Sequence, residues 1–180
     1  MKVISVNLGA CKNVKWKNKT VKTGIFKEPV DSIHLGLEEV VGDNVVDRKH
    51  HGGIEQAVYA YSHDHYDYWQ KLYPDLEFNY GIFGENLTIS RLYEERIRIG
   101  EIFKVGTAKV QVTKPREPCY KLGIRFNNPK VIKQFWNDTK CGVYFKVIQE
   151  GEVKAGNIFV RTVHKPENPT IAEVYKSKRP

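Results

Sequence analysis

Cysteine is scarce in this chain: three residues in 180, Cys11, Cys119 and Cys141, too few and too far apart for a disulfide framework. No Cys or His pair has the spacing of a zinc site, which excludes a structural zinc of the usual kinds. No run of about eighteen apolar residues occurs, so no helix long enough to span a bilayer is expected. Met1 to Asn7 is too short and too interrupted for a signal peptide and reads as a first strand. With no export signal and no paired cysteines, a reducing cytoplasm is the expected setting. Low-complexity tracts and internal repeats are absent, as are a dinucleotide-binding glycine fingerprint and a cysteine cluster for iron–sulfur. Acid is the scarcer charge, 21 Asp and Glu against 29 Lys and Arg, a net +8. Such a surplus suits nucleic acid or a small anion. The lysines are thinly spread, crowding only at 12–22 and 176–179, and neither a basic helix nor an aromatic RNA platform is present. A solvated basic surface accounts for most of the excess, and no nucleic-acid partner is expected.

What the chain has in plenty is short strand-like stretches. Ala108 to Thr113 alternates small or apolar with polar residues, the period of a half-buried strand, and Gly106-Thr107 supplies a hairpin turn from Ile102–Val105. Val143 to Ile148, Asn157 to Val163, Ala57 to Tyr61, Leu87 to Ile89 and Ser32 to Leu35 read as further strands, with Glu150-Gly151 as a turn. Two helices are expected. One runs from His63 to Leu72 behind a Ser62 cap; the other runs from Lys130 to Asn137, opened by Asn128-Pro129. A helical turn is expected from Cys119 through Leu122. Many strands with glycine turns and few helices predict a mainly β (α+β) fold, a closed or partly open β-barrel with a few helices packed outside. Residues 1–164 form that domain in this reading. Residues 165–180 form a linker and a truncated helical tail around Ile171 to Tyr175.

Pro115-Arg116-Glu117-Pro118-Cys119-Tyr120-Lys121-Leu122 is the most informative segment. A thiolate does the chemistry of cysteine, and nearby cations favour it; Arg116 and Lys121 flank Cys119. Pro115 and Pro118 stiffen the approach. Two other segments attract attention. Asp47-Arg48-Lys49-His50-His51-Gly52-Gly53 joins basic residues to glycines whose backbone can approach an anion. Gly81-Ile82-Phe83-Gly84-Glu85-Asn86-Leu87 brings an acid and an amide to the start of a strand.

Four pieces then fall in one order: His51-Gly52-Gly53 with Gln56-Ala57-Val58-Tyr59, Phe83-Gly84-Glu85-Asn86-Leu87, Ile99-Gly100-Glu101-Ile102-Phe103, and Pro115 to Leu122. Their order and spacing resemble the MOSC domain, named for the C-terminal domain of molybdenum cofactor sulfurases. The likeness is to its small stand-alone bacterial branch, associated with resistance to N-hydroxylated base analogues, and runs from about Val3 to Val163. The resemblance implies a β-barrel that binds the molybdenum cofactor (molybdopterin), a pterin dithiolene with a terminal phosphate. It makes Cys119 the metal ligand, a soft sulfur for molybdenum. Arg116 and His51, with Lys49, His50 and Arg48, would hold the cofactor or its phosphate, helped by Gly52 and Gly53. Asn86 and Glu85 would lie at the pocket rim, and Lys121 would favour the thiolate. Which of His50 and His51 faces inward stays open. Relatives in this branch continue into a three-helix domain, of which this chain is expected to carry only the opening residues.

The function so implied is reduction of a small N-hydroxylated substrate, with electrons from a separate flavin or iron–sulfur reductase. A carrier of cofactor or sulfur that does not turn over is the alternative. A Cys–His hydrolase using Cys119 with His50 or His51 is a third reading, without a protease signature around the cysteine. Pyridoxal phosphate has no lysine set out as its Schiff-base partner. No membrane partner is expected.

Overall fold

A computed structural model describes residues 1–44 and 52–180. Among these it forms strands β1 (Lys2–Gly9), β2 (Lys12–Trp16), β3 (Lys19–Thr23), β4 (Lys27–Val30), β5 (Ser32–Leu35), β6 (Val58–Ser62), β7 (Leu87–Ser90), β8 (Ile102–Val105), β9 (Ala108–Pro115), β10 (Val143–Gln149), β11 (Gly151–Lys154) and β12 (Val160–Val163). The helices are α1 (Tyr66–Leu72), α2 (Tyr120–Arg125), α3 (Lys130–Asn137) and α4 (Ile171–Ser177). No helix among the described residues is long and apolar enough to cross a membrane.

Eight strands make one curled half-barrel sheet in the order β12-β8-β9-β10-β6-β7-β1-β4, antiparallel except for the parallel pair β6 and β7. Its two ends are drawn together by the segment before β12, which hydrogen-bonds to the start of β1 (Phe159 N–H to Met1 O, 3.1 Å; Val3 N–H to Asn157 O, 2.9 Å). From Ala108 to Val112 along β9 every second residue, Ala108, Val110 and Val112, is buried, as a sheet with one covered face requires. β6 is buried along its whole length because its other face is covered as well. There Tyr61 stacks on Phe83 with centroids 4.0 Å apart, and Trp69 of α1 stacks on Phe135 of α3 at 5.5 Å. Burying each such ring contributes on the order of 2–3 kcal/mol, so this aromatic layer fixes α1 and α3 against the sheet.

The structure amends several local expectations. His63–His65 is a 3-10 turn and α1 begins only at Tyr66; Ser62 makes no side-chain cap, its hydroxyl being buried in the strand end. Gly151 opens β11, which pairs with β5, so the chain crosses to a small two-stranded sheet instead of turning directly back. The strand expected from Asn157 starts at Val160. The β2–β3 hairpin and β4 had no alternating apolar pattern to announce them. α3 forms over the expected residues, with the Asn128 Oδ1 accepting from Lys130 N–H at 3.0 Å. In the 165–180 segment α4 packs on the body: Ile171 and Tyr175 are fully buried, and the Tyr175 hydroxyl donates to Phe135 O at 3.0 Å.

Candidate active site

β9 ends at Pro115, and the next four residues turn the chain so that Cys119 precedes the first turn of α2 in an extended conformation (φ −119°, ψ 168°). The Cys119 carbonyl accepts from Leu122 N–H at 2.9 Å, which closes that turn and holds the residue. Cys119 is half-buried and lines a cleft with about 720 Å³ of empty space, part of it open to solvent. Arg116 lines the same cleft and is only 5% exposed. Its guanidinium carbon lies 5.2 Å from the Tyr59 ring centroid and 5.3 Å from that of Phe135, both within cation–π range. Nη1 is buried with no hydrogen-bond partner among the described residues. Burial opposes the charge of Arg116, but the neighbouring phenols of Tyr59 and Tyr144 and the Cys119 thiol outweigh it, so its pKa is raised and it stays a cation. Burial likewise raises the phenol pKa of Tyr59 and Tyr144, with the Arg116 charge pulling partly back.

Across the cleft sits a buried polar cluster. Lys27 of β4 and Asp43 form an ion pair with side chains 8% and 3% exposed. Asp43 also accepts from Gly9 N–H at 2.8 Å and from the Asn86 amide at 2.9 Å. Desolvation lowers the pKa of Lys27, and Asp43 opposes that shift. Asn86, the residue before β7, is tied to β6 by Tyr59 N–H to Oδ1 (3.3 Å) and by its own N–H to Tyr59 O (2.8 Å). The backbone is unusually close here: a Cβ on Gly24 would stand 1.8 Å from Asn44 O, so only glycine lets these two cleft-lining segments meet. The result is a slot with two buried cations, Arg116 and Lys121, beside a sulfur on one side and a neutralised, hydrogen-bonding wall on the other.

This geometry sits within a recognisable sequence frame, since the MOSC domain model matches residues 47–159. The chain belongs to the MOSC domain family. It is 37% identical over 155 residues to protein YflK of Bacillus subtilis (strain 168), covering 86% of this chain and 70% of that one. A protein of Gibberella moniliformis (strain M3125 / FGSC 7600) called a reductase is 32% identical over 142 residues, 76% of this chain but 25% of that much longer one. The crystal structure of YiiM from Geobacillus stearothermophilus matches the fold with a TM-score of 0.79 at 32% identity, over 97% of this chain and 81% of that one.

Of the residues singled out from the sequence, this MOSC cleft brings together Cys119, Arg116, Lys121, Asn86 and Gly52. Arg48, Lys49, His50 and His51 lie outside the described residues. Gly53 is exposed, does not line the cleft, and precedes the 3-10 turn Ile54–Gln56 with φ 80°. Glu85 is a correction: expected at the rim, it is fully buried and does not line the cleft. Its carboxylate accepts from Gly81 N–H (3.0 Å), Phe83 N–H (3.0 Å), the Thr88 hydroxyl (2.9 Å) and the Tyr66 hydroxyl. It organises the turn that delivers Asn86. Lys27, Asp43, Tyr59 and Tyr144 belong to the cleft and were not legible as site residues. Tyr59 and Tyr144 look like ordinary strand aromatics, and Lys27 and Asp43 meet only through the fold.

Proposed function

We propose that the cleft holds the molybdenum cofactor, with Cys119 Sγ as the protein ligand of the metal, and that the protein so loaded reduces N-hydroxylated compounds such as base analogues. The observation that carries this reading is Arg116, a buried cation with an unpartnered Nη1 in the same cleft as a cysteine. A buried guanidinium nitrogen left unsatisfied costs on the order of 1–3 kcal/mol, and an anionic ligand would complete it. Among the described residues no group of three His, Cys, Asp or Glu side chains is placed to hold a metal alone. That suits a metal carried in by its own dithiolene, with one protein sulfur added.

Arg116 and Lys121 would hold the cofactor's negative groups, and Asn86 with the Lys27–Asp43 pair would offer donors and acceptors to a heterocycle's edge. Glycine backbone at Gly24, Gly52 and Gly84 lets a flat ring come close. Tyr59, Tyr144 and Phe135 back Arg116 with rings, which keeps water from screening its charge. The cofactor would supply the two-electron chemistry of N–O cleavage. The fungal relative, a quarter of whose length matches this chain, is called a reductase, a name that agrees with a redox reading. Electrons would come from a separate flavin or iron–sulfur protein in the cytoplasm.

Elemental analysis of protein from a cofactor-producing host should find molybdenum in wild type and little in Cys119→Ser. Wild type alone should reduce an N-hydroxylated purine with a chemical donor. Metal-free wild type would overturn the reading; bound molybdenum without turnover would reassign the protein as a carrier.

A further inference from the structure

Positive charge is concentrated at one end of the chain. Residues 1–27 contain seven lysines and no Asp or Glu, which leaves 22 basic against 21 acidic residues for the other 153. Nearly all of the net +8 therefore belongs to this segment. Five of the seven, Lys12, Lys15, Lys17, Lys19 and Lys22, are exposed on the β2–β3 hairpin, and no carboxylate among the described residues pairs with them.

This hairpin is a built platform. Its strands pair with each other and not with the main sheet. The turn residues Lys17 and Asn18 both have positive φ, 45° and 62°, the tight turn that matches strand twist. Val14, Trp16 and Val21 are half-buried on one face. Trp16 Cζ2 lies 3.8 Å from where a Cβ on Gly123 of α2 would be, and Lys12 Nζ and the Arg125 guanidinium share the Phe26 ring at 5.6 and 5.1 Å. β3 runs directly into Thr23, Gly24 and Ile25 of the cleft wall, and α2 starts at the residue after Cys119. The basic face is thus joined to two walls of the cleft.

We propose that the β2–β3 hairpin is the docking surface for an acidic redox protein carrying a flavin or an iron–sulfur centre. This rests on the reductase reading: the partner loses two electrons, the substrate N–O bond breaks, and the oxygen leaves as water with two protons from solvent. Redox encounters need only a small, charge-steered interface, below about 1,200 Å². A single-stranded nucleic acid would need aromatic faces for its bases, and the hairpin's one aromatic, Trp16, is turned onto α2.

The test titrates wild type and a Lys15→Glu/Lys19→Glu/Lys22→Glu variant with an acidic [2Fe–2S] ferredoxin and an FMN flavodoxin across a salt series. Wild type should bind at least one donor, more weakly as salt rises, and the variant should lose roughly tenfold or more in affinity. The same lysines changed to Gln supply a second variant with less perturbation, which should lose affinity in the same direction. Equal binding by wild type and variants, or no binding of either donor by wild type, overturns the proposal. So does hairpin-dependent binding of an RNA oligonucleotide or anionic vesicles with no donor bound. Turnover with a chemical donor separates the two readings. Wild type that binds a donor through the hairpin but never turns over loses the reductase reading alone. Wild type that turns over yet binds neither donor loses the docking surface alone.

Discussion

At the scale of single residues, Arg116 sits between the rings of Tyr59 and Phe135 with one nitrogen unsatisfied, an arrangement that a protein selected for stability alone would not keep. Arg116→Met should therefore stabilise the cofactor-free protein, by about 1–2 kcal/mol or a few degrees of Tm, while molybdenum retention falls roughly tenfold or more. Thermal melts of the empty protein and metal analysis of the loaded one check the two halves separately. Glu85 is the opposite case. Removing its carboxylate in Glu85→Ala orphans two backbone N–H groups and two hydroxyls, and chemical denaturation should show a loss of about 3–5 kcal/mol. Burial raises the pKa of Glu85 above 4.5, its hydrogen-bond donors opposing the shift. Between 4.5 and that higher value the folded state holds a proton that the unfolded state has lost. This group's contribution to stability therefore rises as pH falls through that window and is lost as pH climbs past the folded pKa. Stability measured against pH should lose that component in Glu85→Gln.

At the scale of elements, the hairpin and α2 form a unit through Trp16, because a lone two-stranded hairpin is marginal in water. Trp16→Ala should leave the half-barrel folded, at a global cost of about 1–2 kcal/mol, yet raise the rate of tryptic cleavage between Lys15 and Lys22 well above wild type. Unchanged cleavage would mean that the hairpin is held by its turn alone. α4 shows how local sequence can specify an element: the Thr170 side chain accepts from Glu173 N–H, and the Glu173 carboxylate accepts from Thr170 N–H at 2.7 Å, a reciprocal capping box. Thr170→Ala should cost about 1 kcal/mol by urea titration.

Over the whole molecule, α4 is part of the body, although the sequence reads there as a tail with only a stub of helix. Tyr175 stacks on Trp136 with centroids 4.9 Å apart and is fully buried, so Tyr175→Ala should cost about 3–5 kcal/mol. Fluorescence of Trp136 as the one tryptophan left in a Trp16→Phe/Trp69→Phe background and the sheet's circular dichroism should melt together, and separate transitions would mark α4 as an independent appendage. The half-barrel itself depends on contacts distant in sequence, with β1 meeting both β7 and the 156–159 segment, so no local pattern announces its closure.

Periodicity made β9 and α3 legible and β-branched, aromatic composition made β10 legible, since these signals are written in adjacent residues. Pro115 to Leu122 was legible as a site because its chemistry is contiguous: the sulfur and two of its cations lie within six residues of one another. The Lys27–Asp43 pair, the phenols around Arg116 and the inward turn of Glu85 were not, because each depends on side chains from separate strands meeting across a curled sheet. Sequence alone thus determined the strongly patterned elements and where along the chain the thiol stands. Tertiary structure decided which polar groups share a low-dielectric cleft with it, because burial and charge pairing depend on distance through space.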